Sequence, residues 1–206
     1  FSYFKFDDNG LKYIDSVSVE NILNTSVGLD YIDLNSEKKQ IRKTKPNLTL
    51  NFNAIAQGFS VDFIAINLEN NGIQNYMIEV GGEIRTKGEN PSGLDWKLGI
   101  DSPKDDSKPG DELQKVIELS GYALATSGSY RKFYTIGDKR YSHTLNPKTG
   151  FPVDHNLLSV SVIANTCAEA DAYATAFMVV GFEKSMKLIA SGKLDVEAYF
   201  ITSNGN

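Results

Sequence analysis

The amino-acid sequence predicts an α+β fold with mixed, mainly antiparallel sheets and a few packed helices. Short runs of alternating or β-rich residues, bounded by turn residues, recur along most of the 206 positions. Only three helical patterns interrupt these runs, at irregular intervals, which disfavours a regularly wound parallel sheet. The sequence also lacks the GxGxxG and GxxxxGK motifs that hold nucleotide phosphates in such sheets.

The strand predictions rest on alternation of apolar and polar positions or on β-branched and aromatic content. Residues 131–145 are predicted to form a hairpin with Gly137 and Asp138 as its turn. The other strands are expected at residues 30–35, 39–44, 47–52, 75–82, 83–88, 95–101, 113–121, 122–128, 157–164 and 196–202.

The first helix is predicted at residues 59–72. Phe59, Phe63 and Ile66 recur at the spacing that places side chains on one helical face, and Gly72 supplies a left-handed stop.

Two further helices follow each other near the C-terminus. The spacing predicts the second helix over residues 167–181, because Thr166 and Glu169 form a capping-box pattern before it and Gly181 ends it. Residues 182–192 are amphipathic and predict the third helix.

Length and composition predict one globular domain, residues 1–206, since 41% of the residues are hydrophobic and no linker divides the chain. The charged, Pro/Gly-rich segment 102–112 is expected to be a surface loop. A formal net charge of −5, with scattered Lys and Arg, argues against a nucleic-acid partner. The single cysteine, Cys167, cannot form an internal disulfide and is expected to be a small apolar residue.

Membrane association is expected only through a segment upstream of this sequence. No apolar run approaches the roughly 20 residues that cross a bilayer. The sequence begins at Phe1, without Met, so we expect any signal or lipid anchor to lie in a preceding region.

Asp171 and Thr175 form the first candidate site. Their spacing of four places both oxygen-bearing side chains on one helical face, between alanines that leave the face accessible. Oxygen ligands suit Mg²⁺, which takes one or two carboxylates and completes its shell with water and phosphate oxygens. The alternative is an exposed aspartate and a threonine bonded to its own helix backbone.

Residues 51–62 form the second candidate. A strand is expected to run into residues Asn53 to Ala56, and the chain then enters, through Gln57 and Gly58, the helix that carries Asp62. Small residues there allow a ligand to approach the backbone, and a helix N-terminus favours an anion. The alternative is a plain strand-to-helix turn, with Asp62 complementing the helix dipole.

His143 is the third candidate, because a neutral imidazole can accept a proton near pH 7. It precedes a Pro-Lys-Thr-Gly turn, residues 147–150, which predicts a fixed local geometry. The alternative is a hydrogen-bonded, inert histidine on a hairpin. His155 lacks such a framework and is expected to be an ordinary loop residue, and no GxSxG elbow surrounds Ser127 or Ser129, which disfavours a serine hydrolase.

Five segments, in this order, resemble motifs of the FAD:protein FMN transferase (ApbE) family. They are NAIAQGFSVD at 53–62, MIEVGGEI at 77–84, ATSGSYRKFY at 125–134, YSHTLNPKTGFPV at 141–153 and AEADAYATAFMVVG at 168–181. The resemblance runs from about Asp30 to the C-terminus and implies the family's fold. It also implies that the family's N-terminal portion, which helps enclose the flavin, is missing from this sequence.

The resemblance implies an activity and a set of site residues. Members bind FAD and Mg²⁺, transfer the FMN half of FAD to a threonine hydroxyl of a target protein, and release AMP. By resemblance, His143 is the catalytic base. The implied metal ligands are Asp171, Thr175 and the backbone carbonyl of Ala54, with Ala56 as the alternative. The implied FAD contacts are Ala54, Gln57, Gly58, Asp62, Glu79, Ser127, Gly128, Tyr130 and Thr149.

Three positions depart from the family pattern. Gln57 stands where many members have Lys, which makes any contact to FAD there polar but uncharged, and Asn51 and Asn53 replace the usual Asp and Gly or Ser.

The resemblance also implies a partner and a place of action. The acceptor is expected to be a respiratory or redox flavoprotein subunit that presents a threonine in a short motif of small residues. The expected location is the outer, periplasmic face of the bacterial cytoplasmic membrane, with a lipid anchor in the full-length protein. Two alternatives remain open: a Mg²⁺-dependent FAD pyrophosphatase that yields FMN and AMP, and a non-catalytic flavin-binding module.

Overall fold

The computed structural model describes residues 4–7, 10–103, 110–129, 133–136, 139–142 and 144–203. The strands are β1 Phe4–Asp7, β2 Gly10–Ile14, β3 Ile32–Asn35, β4 Gln40–Lys43, β5 Tyr76–Val80, β6 Glu83–Lys87, β7 Trp96–Asp101, β8 Leu113–Leu119, β9 Ala123–Gly128, β10 Phe133–Ile136, β11 Lys139–Ser142, β12 Leu157–Ala164 and β13 Glu197–Thr202. The α-helices are α1 Ser16–Ser26, α2 Ala56–Asn70, α3 Cys167–Val180 and α4 Phe182–Ala190, and Leu29–Tyr31 form a 3₁₀ turn. None of the described helices is long and apolar enough to cross a membrane.

The backbone contacts divide the chain into two units. Residues 1–51 and 133–153 make up the smaller unit, and residues 52–132 and 154–206 the larger. The single domain expected from composition stays a prediction.

The larger unit is built on a five-stranded sheet in the order β13-β12-β9-β6-β5, in which every neighbouring pair is antiparallel. This arrangement confirms the mainly antiparallel α+β class. One face of the sheet packs against α2 and α3 through apolar side chains. These include Val61, Ala65, Ile78, Ala123, Cys167, Ala125, Val160, Val162 and Phe177. The other face contributes Leu124 to a cluster with Leu98 and Leu119 of the β7–β8 hairpin.

Within its described residues, the smaller unit has the antiparallel pairs β1–β2, β3–β4 and β10–β11. The predicted hairpin is therefore confirmed in its strands, while its turn residues Gly137 and Asp138 lie outside the described residues. The Pro-Lys-Thr-Gly turn is also confirmed: the carbonyl of Asn146 accepts hydrogen bonds from the N–H groups of Thr149 and Gly150. A Cβ at Gly150 would lie 2.5 Å from Val19 Cγ1, so this turn packs directly on α1.

The structure corrects the sequence interpretation at three places. Helix α1 was not predicted, although Asp15 caps it by accepting hydrogen bonds from the N–H groups of Val17 and Ser18. The strand expected at 47–52 is wrong, since the backbone from 44 to 55 runs through turns and irregular conformations.

Helix α2 is confirmed, but it begins at Ala56, three residues before the predicted start. Its apolar stripe faces solvent: Phe59 is 62% exposed and Phe63 60% exposed. The buried face carries Gly58, Val61, Asp62 and Ala65. The buried face therefore includes a glycine and an aspartate, whereas a simple amphipathic helix buries its large apolar residues.

Candidate functional site

Helices α2 and α3 cap each other at their N-termini. The N–H of Gly58, in the first turn of α2, donates to Oδ2 of Asp171 on α3 at 3.0 Å. In return, Asp62 on α2 accepts the first N–H groups of α3, from Cys167 and Ala168, each at 2.9 Å. The first N–H groups of a helix lack intrahelical partners and favour a negative charge, so each carboxylate satisfies donors of the other helix.

The close approach of the two helices requires glycine at position 58. A Cβ at Gly58 would lie 2.3 Å from the carbonyl oxygen and 2.6 Å from the carbonyl carbon of Cys167. No rotamer change can relieve this contact, because the atoms belong to the backbone of α3. The glycine therefore sets the distance at which Asp171 reaches the N-terminus of α2.

Helix α3 has its own N-cap as well. The hydroxyl of Thr166 accepts the N–H of Glu169 and donates to the Glu169 carboxylate. The predicted cap is confirmed, but the carboxylate bonds to the threonine hydroxyl and not to its backbone as in a capping box.

Asp62 is held by an ion pair in addition to its two backbone contacts. Oδ1 of Asp62 lies 2.6 Å from Nη1 of Arg85 on β6, and both side chains are mostly buried. Sequence reasoning assigned Asp62 either to FAD or to the dipole of its own helix. The structure shows both of its oxygens engaged in joining α2 to α3 and β6, and a direct contact to FAD stays a prediction.

Replacing Asp62 with Asn is expected to lower the free energy of unfolding by about 2 to 3 kcal/mol, because it breaks a largely buried charge pair and weakens two caps. Urea unfolding followed by circular dichroism measures the change. The matched control is Asp33→Asn, which removes an exposed pair with Arg42 and is expected to cost at most about 1 kcal/mol. Equal costs for the two variants would contradict the role assigned to Asp62.

Asp171 and Thr175 lie where α3 meets the helix-facing side of the sheet. Asp171 is only 5% exposed, and burial raises the pKa of its carboxyl while the Gly58 N–H opposes that rise. The hydroxyl of Thr175 lies 3.2 Å from the hydroxyl of Ser127 on β9. The alternative of an exposed aspartate is therefore wrong, and the threonine contacts a neighbouring strand.

Sequence reasoning missed Glu83, the first residue of β6. The register pairs Glu83 with Val80 and Arg85 with Ala123, so Glu83 shares the helix-facing side of the sheet with the Arg85 that binds Asp62. Burial, first, and the negative charge of Asp171, second, raise the pKa of the Glu83 carboxyl to about 7. The carboxyl groups of Glu83 and Asp171 therefore lie close enough to influence each other's charge.

The Gly81-Gly82 turn, which joins β5 to β6, lies next to the side chains of both Gln57 and Glu83. Gly81 has φ +66, and a Cβ there would lie 2.0 Å from Nε2 of Gln57 and 3.6 Å from Oε2 of Glu83. The side-chain amide of Gln57 thus lies over the turn, beside the Glu83 carboxylate. The paired glycines thus form a turn that lies at the candidate site.

The remaining predicted site residues fall in several places. Ala54 lies half-buried in the turn before α2, and Gly128 ends β9 near Ser127. Glu79 is exposed and pairs with Ile84, on the face of the hairpin opposite to Glu83. Thr149 belongs to the smaller unit, where its hydroxyl accepts the N–H of Phe151. His143 and Tyr130 lie outside the described residues.

His155 has a structural setting of its own. Its Nδ1 accepts the N–H of Leu157, so its Nε2 carries the proton and donates to the carbonyl of Met178 at 2.8 Å. The ring also packs against Gly181. These contacts tie the loop before β12 to the end of α3.

The oxygen groups around Asp171 fit a hard divalent cation. Asp171, Thr175, Ser127 and Glu83 offer carboxylate and hydroxyl oxygens, which Mg²⁺ prefers. Within the part of the chain that the structure describes, no group of three or more Asp, Glu, His or Cys side chains is placed to hold a metal. Hydroxyls, backbone carbonyls, water or phosphate oxygens would therefore supply the remaining ligands, as is usual for Mg²⁺.

Comparison with known proteins identifies the family. The model of the ApbE family matches residues 3–200. The chain belongs to the ApbE family. It is 36% identical over 186 residues to the FAD:protein FMN transferase of Escherichia coli K12, covering 89% of this chain and 52% of that protein. It is 38% identical over 181 residues to the Haemophilus influenzae protein of the same name, covering 87% and 52%.

A solved structure supports the same family. The apo form of the Pseudomonas stutzeri flavinyl transferase ApbE matches with a TM-score of 0.80 and 31% identity, over 94% of this chain and 57% of that one. This chain therefore spans about half the length of the ApbE relatives that it matches.

Proposed function

We propose that this protein acts as an FAD:protein FMN transferase, in which the α2–α3 site binds the diphosphate of FAD with Mg²⁺. The FMN half is transferred to a threonine hydroxyl of an acceptor protein, and AMP is released. The observation that carries the proposal is the buried Asp171, held by the Gly58 N–H at the start of α2 and followed one turn later by Thr175. Family membership and the names of the relatives support the reaction class.

Different residues of the chain would bind the cation and the oxygens of FAD. Asp171, Thr175 and the Ala54 carbonyl would hold Mg²⁺, which would supply charge neutralisation on the phosphate oxygens. Gln57, over the Gly81 turn, offers an amide that donates to a phosphate or flavin oxygen. Ser127 is 3.2 Å from Thr175 and fixes the orientation of that hydroxyl.

The covalent step needs one base and no redox partner. The acceptor threonine oxygen attacks the phosphorus of the FMN half, and its proton passes to His143. A bond from that oxygen to phosphorus forms while the bond from phosphorus to the bridging oxygen breaks, so AMP leaves with the bridging oxygen. Positioning and charge neutralisation supply most of the rate enhancement in reactions of this class.

We also propose that the acceptor is a respiratory or redox flavoprotein subunit and that the reaction takes place at the outer face of the cytoplasmic membrane. The resemblance to the ApbE family supports both proposals.

Replacing His143 with Ala is expected to reduce transfer roughly 10²- to 10⁴-fold, the usual contribution of a general base. The protein is incubated with FAD, Mg²⁺ and an acceptor that presents a threonine, and flavin fluorescence is read on the acceptor band of a denaturing gel. FAD affinity, measured by fluorescence titration, is expected to change little. Unchanged transfer in His143→Ala would contradict the assignment of the base.

The same assay separates transfer from hydrolysis. A labelled acceptor band supports the transferase. Free FMN and AMP without a labelled band would show that water replaces the protein hydroxyl and would overturn the proposal in favour of a pyrophosphatase. Retention of intact FAD by the wild-type protein would instead favour a flavin-binding module.

A further inference from the structure

The carboxyl group of Glu83 is buried, and one of its oxygens lacks a hydrogen-bond partner within the described residues. Its side chain is only 7% exposed, and its Oε2 has no hydrogen-bond partner within the described residues. Leaving a buried carboxylate oxygen unpaired is costly, so such an atom in a folded protein calls for a compensating ligand.

The neighbours of Glu83 narrow the chemistry of that ligand. The carboxylates of Asp171 and Glu79 add negative charge to its surroundings. The nearest cation on the same strand, Arg85, is already paired with Asp62 and lies 3.9 Å from a carboxylate oxygen of Glu69. Gln57, which contacts the same turn, is uncharged. A positively charged ligand fits this environment, and an anion does not.

The sheet register directs Glu83 toward the candidate site. Glu83 stands on the helix-facing side of the sheet, the side from which Ser127 reaches Thr175 on α3. Asp171, one turn before Thr175 on α3, influences the Glu83 carboxyl electrostatically. Two buried carboxyl groups, those of Glu83 and Asp171, and the hydroxyls of Ser127 and Thr175 thus lie on the helix-facing side of the sheet.

We propose that Glu83 is the second carboxylate of the divalent-cation site and shares the bound ion with Asp171. The inference rests on the cation site of the proposed function and adds a residue to it. A divalent cation would neutralise both carboxylates and give the unpaired Oε2 a partner, and one or two carboxylates is the usual complement for Mg²⁺ in phosphate-binding sites.

The test measures binding of Mn²⁺ alone, without FAD or acceptor, by the loss of the free-ion signal in electron paramagnetic resonance. Glu83→Gln and Asp171→Asn are each expected to weaken Mn²⁺ binding roughly 10- to 100-fold. Glu118→Gln is the matched control, because Glu118 is an exposed glutamate of β8 whose carboxylate pairs with Lys97 and is no part of the candidate site. Its affinity for Mn²⁺ is expected to match that of the wild type.

Thermal unfolding with and without Mn²⁺ distinguishes a cation-binding role of Glu83 from a purely structural one. Without divalent cations, Glu83→Gln is expected to melt at or above the wild-type temperature, since the change removes an unpaired buried charge. With saturating Mn²⁺ the order is expected to reverse, because only the wild type gains the full binding energy. A Glu83→Gln variant less stable than the wild type by the same amount with and without Mn²⁺ would overturn the proposal.

The single variants separate this inference from the proposed function. Unchanged Mn²⁺ affinity in Glu83→Gln, together with a loss in Asp171→Asn, would overturn the role of Glu83 while leaving the proposed function intact. Absence of Mn²⁺ binding by the wild type would overturn both.

Discussion

Replacing Asp171 with Asn is expected to reduce FMN transfer about 10³-fold or more, equivalent to about 4 kcal/mol of transition-state stabilisation. The amide keeps an oxygen that accepts the Gly58 N–H, so the cap on α2 can persist. What the variant loses is the negative charge that would hold Mg²⁺. The measurement is the initial rate of acceptor labelling across a Mg²⁺ titration, in which the variant is expected to show no response.

The control for this variant is Asp195→Asn, on the surface of the larger unit, where the carboxylate accepts a hydrogen bond from Asn165. Its rate and Mg²⁺ dependence are expected to match those of the wild type. A variant at Asp171 that retains the wild-type rate and still responds to Mg²⁺ would show that the cation binds elsewhere.

Replacing Gly58 with Ala is expected to cause the largest loss of stability, about 3 kcal/mol or more, because overpacking against fixed backbone atoms cannot relax. Intrinsic helix propensity predicts the opposite sign, a gain of about 1 kcal/mol for Ala over Gly inside a helix. The contact of a Cβ with the carbonyl of Cys167, at 2.3 Å, decides between the two effects. Urea unfolding, read from the shift of the midpoint, measures the difference.

Ser60→Ala is the matched control for Gly58→Ala. Ser60 is an exposed residue two positions later in α2, and its hydroxyl bonds only to the helix backbone in the contacts described, at the carbonyl of Ala56. This variant is expected to be neutral or slightly stabilising, by up to about 0.5 kcal/mol. If Gly58→Ala also proved stabilising, α2 and α3 would not approach as closely as described.

Local signals in the sequence were sufficient for much of the fold. The start of α3 follows from Thr166 and its end from Gly181, and both are local chemistry. The residue patterns at 75–82 and 83–88 predicted the strands β5 and β6, which the structure pairs through the Gly-Gly turn. Alternation at 47–52 predicted a strand that does not form, since a strand also requires a neighbouring strand that no local pattern reveals.

Helix α1 is the opposite case, an element that forms although the sequence did not predict it. Its sequence, SVSVENILNTS, is rich in serine and β-branched valine, which have modest helix propensity. The cap at Asp15 was the available signal, and tertiary contacts such as those between Val19 and the turn at Gly150 supply the rest.

The candidate site was predictable only in part. The spacing of Asp171 and Thr175 indicated the correct helix, and the resemblance to the ApbE family indicated the chemistry. The role of Asp62 depends on N–H groups more than a hundred positions away, at Cys167 and Ala168, and no sequence pattern encodes that distance. Glu83 was missed because its position in the sequence does not reveal which face of the strand it occupies, and only the register of β6 places it on the buried side.

The most direct test of the account is the dependence of covalent flavin transfer on a divalent cation. Wild-type protein, FAD and acceptor are combined with Mg²⁺ or with EDTA, and flavin fluorescence is read on the acceptor band of a denaturing gel. The account predicts a labelled band that grows with Mg²⁺, disappears with EDTA and returns when excess Mg²⁺ is added. A band of equal intensity in EDTA would contradict the assignment of Asp171 and its neighbours as a cation-dependent transfer site.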